Sequence, residues 1–270
     1  MLLELKRAIL NRNFLLGAAV MLVCMLCMTL PEWFSIEWTD DPIVNGIIRN
    51  EGMSSLQYAT YAIFFGGFVL LIPFCASLPY AIDNVNEVRT HYLLWMVQRT
   101  SLRRYAAHKI IVTAISGAIV IMLPFIMHAL LWWFIAPPSD PINNPNQILY
   151  FAEGCYYNDW YKSLYGLPMY ISFSLGMGVT AAVWAVMSLA VTIWLPDKLL
   201  AIIIPSCFYY LWQRGLPLQI FGPHFPGPSA LYNDALNTER LILSLLAYGA
   251  IFILSIVVYW FGLKRRSCHG

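Results

Sequence analysis

Long uncharged runs alternate with short charged ones along the whole chain, and this pattern predicts helices that cross a bilayer. A span needs about 20 mostly apolar residues at about 1.5 Å rise each. Uncharged stretches cover 14–30, 56–82, 110–136, 167–196, 199–213 and 241–263. Charges fence them: Arg12 and Glu32, Glu51 and Asp83, Lys109, Lys162 and Asp197, Lys198 and Arg214, then Lys264-Arg265-Arg266. The fifth run is short, about 22 Å at helical rise. The expected fold is an all-α polytopic membrane protein with six transmembrane helices. Residues 1–13 form an amphipathic interfacial helix, 14–270 one transmembrane domain, and a re-entrant Gly/Pro-rich segment precedes the last span. The first run ends in Thr29-Leu30-Pro31-Glu32 without a small-x-small cleavage site, so it reads as a retained span.

Composition agrees. Of 270 residues, 60% are hydrophobic and 11% charged, where a soluble domain carries about 25% charge. A water-soluble core of that content would leave too much apolar surface uncovered. The net charge of +2 provides no bulk field for nucleic acid. Distribution matters more than balance. With the amino terminus inside, the cytoplasmic segments hold Lys6, Arg7, Arg12, Arg89, Arg99, Arg103, Arg104, Lys109, Lys198, Lys264, Arg265 and Arg266. Only Arg49, Lys162, Arg214 and Arg240 fall outside. Positive residues favour the cytoplasmic side, so both termini are expected there. The cysteines form no framework: Cys24, Cys27, Cys75 and Cys207 sit in spans, Cys268 in the tail, and Cys155 alone outside.

The expected spans carry no internal Asp, Glu, Lys or Arg. Ion-coupled carriers use costly intramembrane charge, so its absence argues against one. His128, near the outer end of the third span, reads as a hydrogen-bonded histidine. No H-E-x-x-H and no G-x-x-x-x-G-K-[ST] segment occurs, which argues against a metalloprotease or an ATPase on this chain. Small residues at four-residue spacing, Ala114 and Ala118, then Ser172, Gly176 and Thr180, suit close helix packing, as does Ser116-Gly117.

Two cytoplasmic elements have amphipathic character. In residues 1–13, Leu2, Leu5 and Ile9 follow helical spacing, while Lys6 and Arg7 take the other face. This predicts a helix on the inner leaflet with Lys6, Arg7 and Arg12 near anionic headgroups; a solvated tail is the alternative. In 83–109, Val88, Tyr92, Trp95 and Met96 fall at i, i+4, i+7 and i+8, one helical stripe flanked by Arg89 and Arg99. Thr100 or Ser101 can cap the next helix. Arg103 and Arg104 then stand in its first turn, where the helix dipole disfavours cations. Such a helix suits either docking of a partner or topology anchoring.

Together these features resemble the type-two permease subunits of ABC exporters, over essentially the whole chain. Many bacterial members carry acid-x-x-x-G, an apolar run, then R-T-S-x-x-x-Y-x-x-x-K entering span three. Here stand Asp83, the apolar 92–97, Arg99-Thr100-Ser101, Tyr105 and Lys109, with Val88-Arg89-Thr90 where the glycine usually lies. The short link Pro196-Asp197-Lys198 also fits. The resemblance implies a permease domain in a bacterial cell membrane, paired with an identical or paralogous permease. Two separate ATPase subunits would hold ATP and Mg, leaving this chain non-catalytic and without a cofactor or metal of its own. The coupling surface would be Val88, Arg89, Tyr92, Trp95, Met96, Arg99, Arg103 and Arg104. The segment 216–234, broken by Gly222-Pro223 and Pro226-Gly227-Pro228, cannot be a regular span. It is expected to form an outer gate including Phe221, Gly222, Pro223, Phe225 and Pro226, or else an interfacial loop.

A translocation path could be lined by Tyr58, Tyr61, Phe64 and Phe65 and by Tyr209 and Tyr210, suiting an amphipathic or apolar cargo: a peptide, drug or lipid-like molecule. The competing readings are an ATP-independent carrier or a membrane sensor or immunity protein. A membrane enzyme with its site in 143–166, around Glu153 and Asp159, is a third class.

Overall fold

The computed structural model describes residues 2–34, 58, 70–90, 92–136, 167–213 and 238–269. Among them all regular structure is helical: α1 (Leu2–Ile9), α2 (Arg12–Phe34), α3 (Ile72–Ser77), α4 (Ala81–Arg89), α5 (Tyr92–Arg99), α6 (Leu102–Ile135), α7 (Leu167–Trp194), α8 (Lys198–Gln213) and α9 (Thr238–His269). Among the described residues four helices are long and apolar enough to cross a membrane: α2 over Arg12–Leu30, α6 over Leu102–Ile135, α7 over Ser174–Trp194 and α9 over Ile242–Ser267. Their outward faces carry exposed Leu, Ile, Val and Phe, such as Leu15, Val23, Phe134, Leu246, Ile253 and Phe261. A coat of that kind suits lipid rather than water.

Helix α7 is the centre. Within its apolar stretch 72% of residues are buried, against 28% in α2 and 22% in α9, and it packs on α6, α9, α3, α8 and α4. Lipid tails give no hydrophobic drive between helices, so contact depends on small residues and close fit. A Cβ on Gly117 would stand 2.5 Å from the Ala185 Cβ, and one on Gly178 2.5 Å from the Met122 sulfur. Trp184 of α7 is fully buried with ring centroids 5.2 Å from Tyr209, 6.0 Å from Trp212 and 6.5 Å from Tyr248, all edge-on. Edge-to-face rings at such distances are favourable.

Polar groups close the helix ends and breaks. Pro205 inside α8 has no N–H to give the carbonyl of Ala201. The Ser188 hydroxyl of α7 donates to that carbonyl at 2.5 Å. Asp197 caps α8, its Oδ1 accepting from the N–H groups of Leu199 and Leu200. At the end of α7 the carbonyl of Ile193 accepts from Arg266 Nε at 2.6 Å, and the Trp194 indole donates to the carbonyl of Val258 at 3.1 Å. Gly262 makes that approach possible, since a Cβ there would meet the indole nitrogen at 2.8 Å.

The expected second span is not one continuous helix. It breaks between α3 and α4 at Leu78–Tyr80, where Pro79 lacks a donor and the Leu78 N–H turns back to Cys75 instead. Helix α6 begins at Leu102 behind the expected Ser101 cap, so it runs on through Lys109 into the uncharged stretch that starts at 110.

Candidate functional site: the helical elbow at the basic end

The starts of α2, α6 and α8 meet the ends of α7 and α9 at one end of the bundle, together with α1, α4 and α5. All twelve Lys and Arg residues expected on the cytoplasmic side are carried there.

Threonine chemistry shapes the elbow. At the end of α4, Thr90 returns both its N–H and its hydroxyl to the carbonyl of Asn86, at 2.9 and 2.8 Å. At the end of α5, Thr100 does the same to Met96, at 2.9 and 2.8 Å. Such back-bonding competes with helix continuation. Ser101 is extended, and its hydroxyl accepts from the Arg104 N–H, starting α6. The single stripe expected through Val88, Tyr92, Trp95 and Met96 is therefore divided between two helices. Val88 is buried with Tyr105, Ala106, Leu189 and Leu263, and Met96 packs on the edge of that cluster. It is Tyr92 and Trp95 that remain open, 44% and 46% exposed. Their ring centroids are 5.7 Å apart, and the Arg99 guanidinium lies 3.7 Å over the Trp95 ring. Arg103 and Arg104 are exposed beside them.

Two ion pairs fix the elbow to the bundle. Arg89 donates to the carbonyl of Pro196 at 2.6 Å and pairs with Asp197 at 3.3 Å, joining α4 to the α7–α8 link. Both side chains are about half exposed, so this pair is worth on the order of 1 kcal/mol or less. The second is buried. Lys109 is 2% exposed and donates to Glu87 Oε1 at 2.6 Å and to the Tyr80 hydroxyl at 2.8 Å, while the Tyr105 hydroxyl donates to Glu87 Oε2 at 3.0 Å. The Lys109 ammonium also faces the Tyr80 ring at 4.5 Å. The acid that binds this lysine is Glu87, not the Asp83 that opens the expected motif. Asp83 instead accepts from the Asn11 amide at 3.1 Å. Burial pushes its carboxyl above the usual carboxylate range, and nearby Arg7 works against that rise.

Of the interfacial-helix residues, Lys6, Arg7 and Arg12 are exposed, while Ala8 is buried against Tyr80 and Val112. Among the expected path residues, Tyr58 is buried and stacked on Trp132 at 4.4 Å. Tyr209 is buried against Trp184. Both sit in the chain's own packing. Tyr210 is 41% exposed and borders an apolar groove of about 500 Å³ with Leu70, Phe74, Ile202 and Cys207. Tyr61, Phe64, Phe65 and the gate residues Phe221, Gly222, Pro223, Phe225 and Pro226 lie outside the described residues. His128 is fully buried; its Nε2 accepts from the Trp132 indole at 3.0 Å and lies 3.2 Å from the Thr29 hydroxyl. An indole N–H only donates, so the His128 proton sits on Nδ1. Among the described residues no group of three or more His, Cys, Asp or Glu side chains could hold a metal.

The chain matches no protein-family model, no curated protein and no solved structure.

Proposed function

We propose that the protein is the transmembrane permease subunit of an ATP-binding-cassette exporter, driven by ATP hydrolysed on separate subunits. The observation that carries this reading is α5: eight residues long, closed at its end by Thr100, with Tyr92, Trp95 and Arg99 exposed at the basic end of the bundle. Aromatic and Arg side chains are the usual anchors of protein interfaces; the alternative for an exposed Trp at this end is anchoring at the membrane surface. The elbow is also mechanically suited to coupling. Force on α5 would pass through α4 and the Glu87–Lys109 pair into α6, and through Arg89 into the α7–α8 link.

In this reading six spans cross a bacterial cell membrane with both termini cytoplasmic, and 216–234 forms an outer re-entrant gate. Two ATPases, carrying ATP and Mg, seat α5 of this chain and of a second permease, identical or paralogous. The chain itself is non-catalytic. The cargo is amphipathic or apolar, and Tyr210 on its groove is the one described path residue left open to it. Gentle solubilisation at low expression, followed by identification of co-eluting chains, tests the reading. Stoichiometric recovery of a nucleotide-binding ATPase is expected; recovery of the chain without an ATPase under conditions that preserve the native membrane complex argues for an ATP-independent carrier or sensor.

A further inference from the structure

We infer that the cleft between α1 and α4 is a binding site for an anionic phospholipid of the cytoplasmic leaflet. The inference rests on the membrane reading of the bundle but not on the ATPase partner. The cleft measures about 510 Å³ and is lined by Lys6, Arg7, Leu10, Asn11 and Asp83, within the size range of small-molecule sites, about 300–1,000 Å³. Lys6 and Arg7 are exposed, and among the described residues neither forms an ion pair with a carboxylate. Asp83 is the single acid in the wall, and it is already engaged by the Asn11 amide. Two cations against one satisfied carboxylate leave the cleft positive.

What singles out a lipid over a soluble anion or an acidic protein is the surface that continues from these cations. Leu10, in the cleft wall, is 69% exposed, and Leu15 and Leu16 at the start of α2 are 62% and 55% exposed. The cations thus share their cleft with one exposed leucine, and two more open the helix α2 that is read as entering the membrane. A phosphate headgroup against Lys6 and Arg7, with an acyl chain along Leu10, Leu15 and Leu16, satisfies both. A free phosphate would leave the leucines uncovered, and a soluble acidic partner could not follow α2 into the bilayer.

The test titrates the full detergent-solubilised chain with phosphatidylglycerol and, separately, phosphatidylcholine, reading bound lipid by native mass spectrometry. Wild type should prefer phosphatidylglycerol. A cation near such a headgroup is worth about fivefold in affinity, so Lys6→Ala/Arg7→Ala should weaken binding about thirtyfold. Asp83→Asn, which removes the only negative wall charge, should tighten it, by about fivefold. These opposite signs exclude a general loss of structure. Lys264→Ala/Arg265→Ala removes the same charge from exposed positions elsewhere and should leave phosphatidylglycerol binding near wild type. In liposomes, photoactivatable phosphatidylglycerol should label wild-type α1 and the start of α2, which requires no variant to fold. Equal binding of the two lipids, equal losses in the two double variants, displacement of the lipid by inorganic phosphate, or labelling only elsewhere would each overturn the site.

Discussion

Lys109 Nζ lies 2.6 Å from Glu87 Oε1, with the lysine 2% exposed two turns into a 34-residue apolar helix. Glu87 belongs to α4 and Lys109 to α6, so the pair locks the elbow to the longest helix of the bundle. Removing one partner of such a pair strands the other charge and costs about 3–5 kcal/mol, whereas replacing both by matched neutral groups is far cheaper. Lys109→Met should therefore lower the thermal unfolding midpoint in detergent strongly. Glu87→Gln/Lys109→Met should recover most of that loss. Equal stability of single and double variants would show that the pair does not hold α4.

The Ser188 bond to the carbonyl of Ala201 compensates for Pro205, and that relation can be isolated. Ser188→Ala should destabilise by about 1–3 kcal/mol, the cost of an orphaned buried acceptor. In a Pro205→Ala background the restored N–H can reach the Ala201 carbonyl, so Ser188→Ala should cost markedly less. Chemical denaturation of the four variants of the cycle measures the difference. Additive losses would separate the serine from the proline.

Orientation follows from the twelve cations gathered at one end. A reporter fused after Gly270 should be cytoplasmic, and a cysteine placed at Asn144 should react with an impermeant reagent from outside. Labelling of the carboxyl tail from outside would reverse or break the six-span topology.

Much of the helical layout was legible because charge fences coincide with helix ends. The expected 167–196, 199–213 and 241–263 lie close to α7, α8 and α9. The start of α6 was legible in its cap, Ser101; what the uncharged run from 110 hides is that Lys109 lies inside that helix, held by Glu87, 22 residues away in sequence, and by the Tyr80 hydroxyl. The break at Thr90 was hidden for a related reason. The i, i+4, i+7, i+8 stripe runs through it without a gap, and the competing signal was two threonines, Thr90 and Thr100, whose back-bonds end α4 and α5. Hydropathy also cannot tell a lipid-facing aromatic from a core one. Tyr209 and Tyr210 are neighbours in the sequence, yet one is fully buried against Trp184 and the other lines an open groove.

The role proposed for α5 depends on Trp95, which is 46% exposed and covered on one face by Arg99. Truncating a buried aromatic anchor costs upwards of about 2 kcal/mol of binding, roughly thirtyfold in affinity. Arg103→Ala should do less, since a rim charge mainly tunes association rate and salt dependence. The decisive measurement is ATPase binding and coupled hydrolysis by the reconstituted complex, wild type against Trp95→Ala, with membrane insertion and thermal stability checked in parallel. Loss of the ATPase, or hydrolysis no longer tied to transport, is predicted in a variant that inserts and folds normally. Wild-type assembly and wild-type coupled turnover in Trp95→Ala would contradict docking through α5.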